Sequence, residues 1–242
     1  MTEFNPIAII PHYNHSATVG GVAEQLNQLG LPVLIVDDGS SLEHKAVIEQ
    51  FPQNEQLSIL FCEINGGKGA AFKAGLKQTQ KLGFSHAIQV DADGQHNIID
   101  VKKMLEQAEK SPNAIVCGKP IYGKDAPKSR LYGRKITDFW NAINTLSFDI
   151  KDGMCGFRIY PIAQIMPILA QEQIGGGMDF DTEILIHSYW QKIPLIWVDT
   201  PVKYEKDGIS HFRGWADNWL ISKMHARLFF RMLKRLFTGK IR

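Results

Sequence analysis

What most limits the fold of this chain is an alternation. Short apolar runs of strand character are each closed by a polar loop and followed by apolar residues at helical spacing. Ile7–Ile10, Val33–Val36, Ser58–Cys62, His86–Val90 and Ala114–Cys117 read as strands. After the first, Val19, Val22, Ala23, Leu26 and Leu29 recur three and four apart until Gly30 and Pro32 stop the segment. Ile98, Val101, Leu105 and Ala108 repeat that spacing later. Near-continuous apolar strands separated by helices predict an α/β fold with a mainly parallel sheet flanked by helices, whose ligands gather at the carboxyl ends of the strands. Further helices are expected over Leu131–Leu146 and Asp179–Gln191, and a strand over Leu195–Val198.

Four successive strand ends are polar: Pro11-His12-Tyr13-Asn14, Asp37-Asp38-Gly39-Ser40, Asn65-Gly66-Gly67-Lys68-Gly69 and Asp91-Ala92-Asp93-Gly94-Gln95-His96. Asp91 and Asp93 stand two apart after an apolar strand, so an extended turn aims both carboxylates at one point, as a hard divalent cation on diphosphate oxygens requires; an Asp-rich capping turn has the same spacing. Asp37 and Asp38 could accept from a nucleobase or ribose, or simply close a strand-to-helix turn. The Gly-rich loop could present N–H groups and Lys68 to an anion, or merely start a helix. It is not a Walker A loop, because Lys68 is followed by Gly69, and no GxGxxG is present.

Composition excludes other classes. With 242 residues, 44% hydrophobic and 21% charged, the chain is neither collagen-like, disordered nor a coiled coil. Lys and Arg number 27 against 25 acids, so no nucleic-acid partner is expected. Cys62, Cys117 and Cys155 form no CxxC pair, which suits a reducing cytoplasm. No stretch approaches ~18 apolar residues, so neither a signal peptide nor a membrane span is expected.

Beyond Asn218 the sequence contains no acid. At 100° per residue Lys223, Arg227, Arg231, Lys234 and Arg235 share an arc of about 120°, with Ile221, Leu228, Phe229, Met232, Leu233 and Leu236 opposite. Such a basic amphipathic helix can lie in an anionic headgroup layer, or pack on its own domain with a solvated face.

Taken in order and spacing, Ile-Pro-His-Tyr-Asn, Val-Asp-Asp-Gly-Ser, Asn-Gly-Gly-Lys-Gly, Asp-Ala-Asp-Gly-Gln-His and Asp152…Cys155-Gly156-Phe157-Arg158 resemble the motifs of family 2 glycosyltransferases of the GT-A fold, in the branch of the dolichyl-phosphate and polyprenyl-phosphate sugar transferases. The resemblance covers roughly residues 5–212 and implies a GT-A (Rossmann-like) domain over 1–212, followed by the basic helix over 213–242 as a candidate for the membrane surface. It implies inverting transfer from a nucleotide-sugar donor with Mg²⁺ or Mn²⁺, while the basic tail points to a membrane lipid or lipid-linked acceptor and an enzyme peripheral on the inner face of the cytoplasmic membrane; a soluble or other hydroxyl acceptor and a catalytically silent nucleotide-binding protein are the alternatives. By the same resemblance Pro11, Tyr13, Asp37 and Asp38 hold base and ribose, Asp91 the ribose or metal shell, and Asp93 and Gln95 the metal. Lys68 stands beside the donor loop, Arg130 and Arg134 meet the donor diphosphate or an acceptor phosphate, and His211 closes on the diphosphate. Asp152, Asp179 and Asp181 are the acids from which a base would come if the acceptor is a hydroxyl; a lipid phosphate arrives ionised and needs mainly orientation. Relatives often carry Arg where this chain has Lys119.

Overall fold

The computed structural model describes residues 3–123, 128–202 and 214–239, with backbone alone for 128–130. Along the chain run β1 (Pro6–His12), α1 (Ser16–Gln28), β2 (Val33–Asp38), α2 (Leu42–Ile48), β3 (Leu57–Cys62), α3 (Lys68–Lys81), β4 (His86–Gln89), α4 (Asp100–Lys110), β5 (Ile115–Tyr122), α5 (Lys128–Thr145), β6 (Arg158–Pro161), α6 (Ile162–Gln171), α7 (Phe180–Trp190), β7 (Leu195–Val202) and α8 (Gly214–Phe237). The strands form one sheet in the order β3-β2-β1-β4-β6-β5-β7. Pairing is parallel throughout except at β6, which runs antiparallel to both neighbours.

Each expected strand is present. β6 was not anticipated, because four residues containing an arginine and ending in proline make no apolar run. β5 also runs further than expected, through Gly118, Lys119 and Pro120. It pairs with β6 only at Val116 and Cys117, with one further bond from the Gly118 N–H to the Phe157 carbonyl, but with β7 along its whole length, so by Pro120 that side of the strand needs no donor and proline is tolerated.

Apolar cores line both faces of the sheet. Val19, Val22, Leu26, Val101 and Met104 cover one face. On the other, Phe72 is wedged between Tyr160 and Phe180, with ring centroids 5.2 and 5.7 Å away. At about 2 kcal/mol per fully buried large apolar side chain, these layers are the main drive to fold.

α7 is buried on nearly every side, and Asp181, Thr182 and Glu183 bond to neighbouring segments. The tail packs beside it. α8 sinks Ile221, Met224, Leu228 and Met232 into the core, so the side read from sequence as facing headgroups is largely taken up by the domain. Its arginines follow: Arg227 pairs with Glu183, Arg231 with Glu172, and Arg235 donates to the Trp190 carbonyl. Burial pushes the Glu183 carboxyl up, but His187, the Gly175 N–H and Arg227 outweigh it and leave the group below its usual range.

Candidate active site

At the carboxyl edge of the sheet the first three polar loops are fastened to one another. His12 Nδ1 lies 2.8 Å from Asp37 Oδ1, and its Nε2 accepts the His15 N–H at 3.2 Å, so the ring is held from both sides. Asp38 accepts the N–H groups of Gly66 and Gly67 at 3.0 and 2.7 Å. Gly67, at φ 94°, turns the chain there so that α3 starts with Lys68 facing inward. These bonds correct the reading of the paired aspartates. Asp37 has no exposed surface and Asp38 almost none, so Asp37 offers no surface to a ligand and instead holds His12 and the Ser40 N–H. Pro11 and Tyr13 are half-buried at the same strand end.

Next to them lies a lysine between two acids. Lys68 Nζ is 2.7 Å from Asp91 Oδ1 and 3.0 Å from Asp181 Oδ2. Gln89 holds the other Asp181 oxygen, donating at 2.8 Å. His96 stacks on Phe157 with centroids 4.6 Å apart and brings Nε2 within 3.5 Å of Asp91 Oδ2. Burial alone would push Asp91 up, but Lys68 and His96 overcome it and hold the carboxyl well below the usual range. Asp93 goes the other way, raised by burial and by the Asp91 charge. Its Oδ1 accepts the Gln95 N–H at 3.0 Å, and among the described residues no cation is paired with it.

This donor set fits a divalent cation. A buried carboxyl raised by a neighbouring carboxylate is relieved by one, and oxygen is the ligand Mg²⁺ and Mn²⁺ prefer. Since Lys68 and His96 take both Asp91 oxygens, Asp93 is the carboxylate that would serve as the primary ligand. Among the described residues no three His, Cys, Asp or Glu groups converge, so donor phosphate oxygens and water would complete the shell.

A short loop, residues 152–156, joins this group to a second pocket. Asp152 accepts the N–H groups of Met154 and Cys155 at 2.8 Å each, and Arg134 Nη1 meets its two oxygens at 2.8 and 2.7 Å. Asp152 therefore orients Arg134 and shapes the loop, with little capacity left for a base. At the loop's other end a Cβ on Gly156 would lie 2.5 Å from both Gln89 Nε2 and Lys68 Nζ, so any larger residue would have to displace the ends of these two side chains. Arg158, wholly buried, ties the loop to α7 by donating to the carbonyls of Gly153 and Asp181.

The pocket, of about 410 Å³, is walled by Lys119, Tyr122, Arg134, Lys135, Lys151 and the two acids Asp138 and Asp152. Four cations and two acids line it, Lys119 being paired with Asp199 at 3.3 Å and Arg134 with Asp152, and Arg134 lies 5.3 Å from the Tyr122 ring centroid. Burial, then repulsion from Asp152, pushes Asp138 up to about 7.

Asp91, Lys68 and Asp181 are thus brought together with Asp93 and Gln95 on one turn, while Arg134 and Asp152 meet in the adjoining pocket. Asp179 is not brought in. Its bond is to the Gly177 N–H at 3.1 Å, and it is buried beneath Gly175. The Arg130 side chain and His211 lie outside the described residues. Sequence reasoning gave no role to His96, Gln89, Arg158, Asp138 or Lys151. For His96 and Arg158 the signal was present, since both stand inside quoted motifs. For Asp138 and Lys151 there was none, because a helical acid and a loop lysine read as solvated surface.

Residues 7–164 match the family model for glycosyl transferase family 2, well over half of the chain. Among curated proteins the chain is 29% identical over 213 residues to an uncharacterized protein of Methanocaldococcus jannaschii, covering 85% of this chain and 91% of the other. It is 24% identical to the UDP-N-acetylglucosamine–dolichyl-phosphate N-acetylglucosaminyltransferase of Methanococcus voltae, covering 96% of each. To the polyprenol monophosphomannose synthase of Mycolicibacterium smegmatis it is 25% identical, over 64% of this chain and 60% of that one. Among solved structures, glucosyl-3-phosphoglycerate synthase of Mycobacterium tuberculosis in complex with Mn²⁺, UDP and glucosyl-3-phosphoglycerate superposes with a TM-score of 0.70 at 13% identity, over 95% of this chain and 80% of that one, a likeness of fold. With its sheet order, its motifs and these matches together, the chain has the GT-A fold, belongs to glycosyl transferase family 2 and is a glycosyltransferase.

Proposed function

We propose that the enzyme moves a sugar from a nucleoside diphosphate sugar to a polyprenyl phosphate or similar lipid-linked acceptor, with inversion and with Mg²⁺ or Mn²⁺. The observation that carries this reading is the cationic pocket beside the Asp91–Lys68–Asp181 group: Lys119, Arg134, Lys135 and Lys151 suit a dianionic phosphate better than a neutral hydroxyl. The dolichyl-phosphate and polyprenol relatives support it.

Asp93, with Gln95 beside it, would hold the cation, which when bound neutralises charge on the departing diphosphate. The chain's own residues do the rest. Pro11 and Tyr13 flank the base, and Asp38 keeps the Gly66–Gly67 turn against it. Lys68 screens Asp91 from Asp181, so the donor's anionic phosphates meet a site with less negative charge. Arg134, oriented by Asp152, holds the acceptor phosphate, whose ionised oxygen attacks the anomeric carbon opposite the leaving group. No base is required, and the site's work is alignment and charge stabilisation.

A second reading has Asp138 in its favour. A carboxyl that binds its proton near neutrality in the pocket is matched to accepting one from a hydroxyl acceptor. A catalytically silent nucleotide-binding protein is the outcome to exclude.

The test is a panel of UDP-, GDP- and dTDP-sugars with Mn²⁺, with and without polyprenyl phosphate, following nucleoside diphosphate release by wild type, Asp93→Asn and Asp138→Asn. Release that needs lipid phosphate and metal, falls at least 100-fold in Asp93→Asn and survives in Asp138→Asn supports the proposal. Release with a soluble hydroxyl acceptor that is lost in Asp138→Asn establishes the second reading. Donor binding without consumption overturns both.

A further inference from the structure

The core takes one side of α8, yet the opposite side is not polar. Trp215, Trp219, Phe230 and Phe237 are all exposed, Trp215 at 94% and Phe237 at 90%. At 100° per residue they fall within an arc of about 60°, roughly opposite Ile221, Leu228 and Met232. α5 repeats the arrangement with Tyr132, Ile136 and Phe139, each more than three-fifths exposed and spaced four and three apart. The two rows are joined. Phe139 meets Trp140, Trp140 meets Phe229, and Phe229 meets Phe230, with ring centroids 6.3, 6.3 and 5.8 Å apart. A ladder of rings thus connects the outer face of α5 to that of α8.

Charge decides what this face can meet. Exposed Lys223 and Lys234 flank the α8 row, and exposed Lys135 flanks the α5 row. The only acid of α8 is Asp217, which is buried, and the only acid of α5 is Asp138, which lines the pocket. Among the described residues of these two helices the face is therefore aromatic and basic, with no carboxylate. A second copy would set lysine against lysine, whereas an anionic bilayer offers headgroup charge to the lysines and an interfacial layer to tryptophan. Tyr132 belongs both to the α5 row and to the wall of the cationic pocket, so the face and the pocket share an edge.

We propose that the joined outer face of α5 and α8 docks on an anionic lipid bilayer through Trp215, Trp219, Phe230, Phe237 and Phe139, and so sets the mouth of the Arg134 pocket at the headgroup level. This deepens the lipid-acceptor reading and rests on it for the purpose of docking. The surface differs from the one expected from sequence, whose apolar residues are largely spent on the core.

The full chain would be floated with vesicles of phosphatidylcholine alone and of equal parts phosphatidylcholine and phosphatidylglycerol, beside a Trp219→Ser/Phe230→Ser variant and a Lys223→Ser/Lys234→Ser variant. Tryptophan quenching by brominated lipid would be read in parallel. Expected are binding to the anionic vesicles, loss of at least tenfold in partition coefficient in the aromatic variant, and loss of the anionic preference in the lysine variant. Both variants alter exposed side chains, and sedimentation velocity with circular dichroism checks that they remain folded. Failure of wild type to bind either vesicle, binding unaffected by the aromatic variant, or a wild-type dimer that the aromatic variant dissociates without any vesicle binding would each overturn the proposal. Transfer to a short-chain, water-soluble prenyl phosphate reports the lipid-phosphate reading separately, since it needs the pocket and not the bilayer.

Discussion

Asp138→Asn gives the most direct check on the electrostatics of the pocket. In the fold the carboxyl is moved from an ordinary 3.8 up to about 7, first by burial and then by the neighbouring Asp152 charge, with the Gly153 N–H and Arg134 opposing. Between those two values the folded protein holds a proton that the unfolded chain has released. The unfolded state thus binds fewer protons, and stability must fall as pH rises from about 4 to about 7 and level off above. At ~1.4 kcal/mol for each tenfold in proton affinity the full interval is about 4 kcal/mol, and water reaching the pocket's mouth cuts this by about half, to ~2 kcal/mol. Asparagine is nearly isosteric and keeps an oxygen for the Gly153 N–H, 3.4 Å away. Other groups titrate over the same range, so the quantity to read is the difference between variant and wild type by urea unfolding at pH 4 and pH 8. The variant should gain about 2 kcal/mol relative to wild type across that interval, or about 4 to 8 °C in melting temperature. Parallel curves at all pH values would refute the argument.

Three further predictions concern the acid–lysine group and the seat of α8. Lys68→Met leaves Asp91 and Asp181 facing each other and should cost about 3 kcal/mol in urea unfolding, while adding Asp181→Asn should restore 1 kcal/mol or more, roughly; strict additivity would mean that the bridge is not the cause. Gly156→Ala pushes a methyl against Gln89 and Lys68 and should cost about 1 to 3 kcal/mol with at least a tenfold loss of diphosphate release, so wild-type values for both would remove the close approach from the mechanism. Glu183→Gln tests the anchor of α8. Because the folded carboxyl is depressed, its stabilisation is present above the ordinary 4.5 and lost as pH falls through the lower folded value, so the variant should be weaker by about 3 kcal/mol at pH 7 and converge on wild type in acid. A constant gap down to pH 2 would show that packing, not charge, is at stake.

The strands and their polar ends were legible because that information is local: an apolar run closed by Asp-Asp-Gly-Ser or Asp-Ala-Asp-Gly fixes both a strand and where its ligand edge lies. Pairings made only by the sheet order were not legible. Lys68 opens α3 and Asp181 lies on α7, and nothing in either segment says that β4 and β6 will bring them within 3.0 Å. The same holds for Asp37, whose motif marks a polar strand end while its side chain turns inward to His12.

The tail shows the limit most sharply. A helical projection of α8 separates a basic arc from an apolar one, and both assignments were correct as chemistry. What the projection cannot say is which arc the domain will claim. Glu183 and Glu172, on α7 and just beyond α6, draw in Arg227 and Arg231 and carry the Leu228–Met232 side down with them. Once those arginines are spent on the domain, the exposed surface is left to Trp215, Trp219, Phe230 and Phe237 with lysines at the flank. Arginine and lysine have thus divided the basic tail between them: the guanidinium groups, which pair well with buried carboxylates, hold the helix in place, and the ammonium groups, better suited to water, stay outside. It follows that replacing Arg227 or Arg231 should loosen the domain, whereas replacing Lys223 or Lys234 should leave its stability unchanged within about 0.5 kcal/mol and alter only what the outer face can bind.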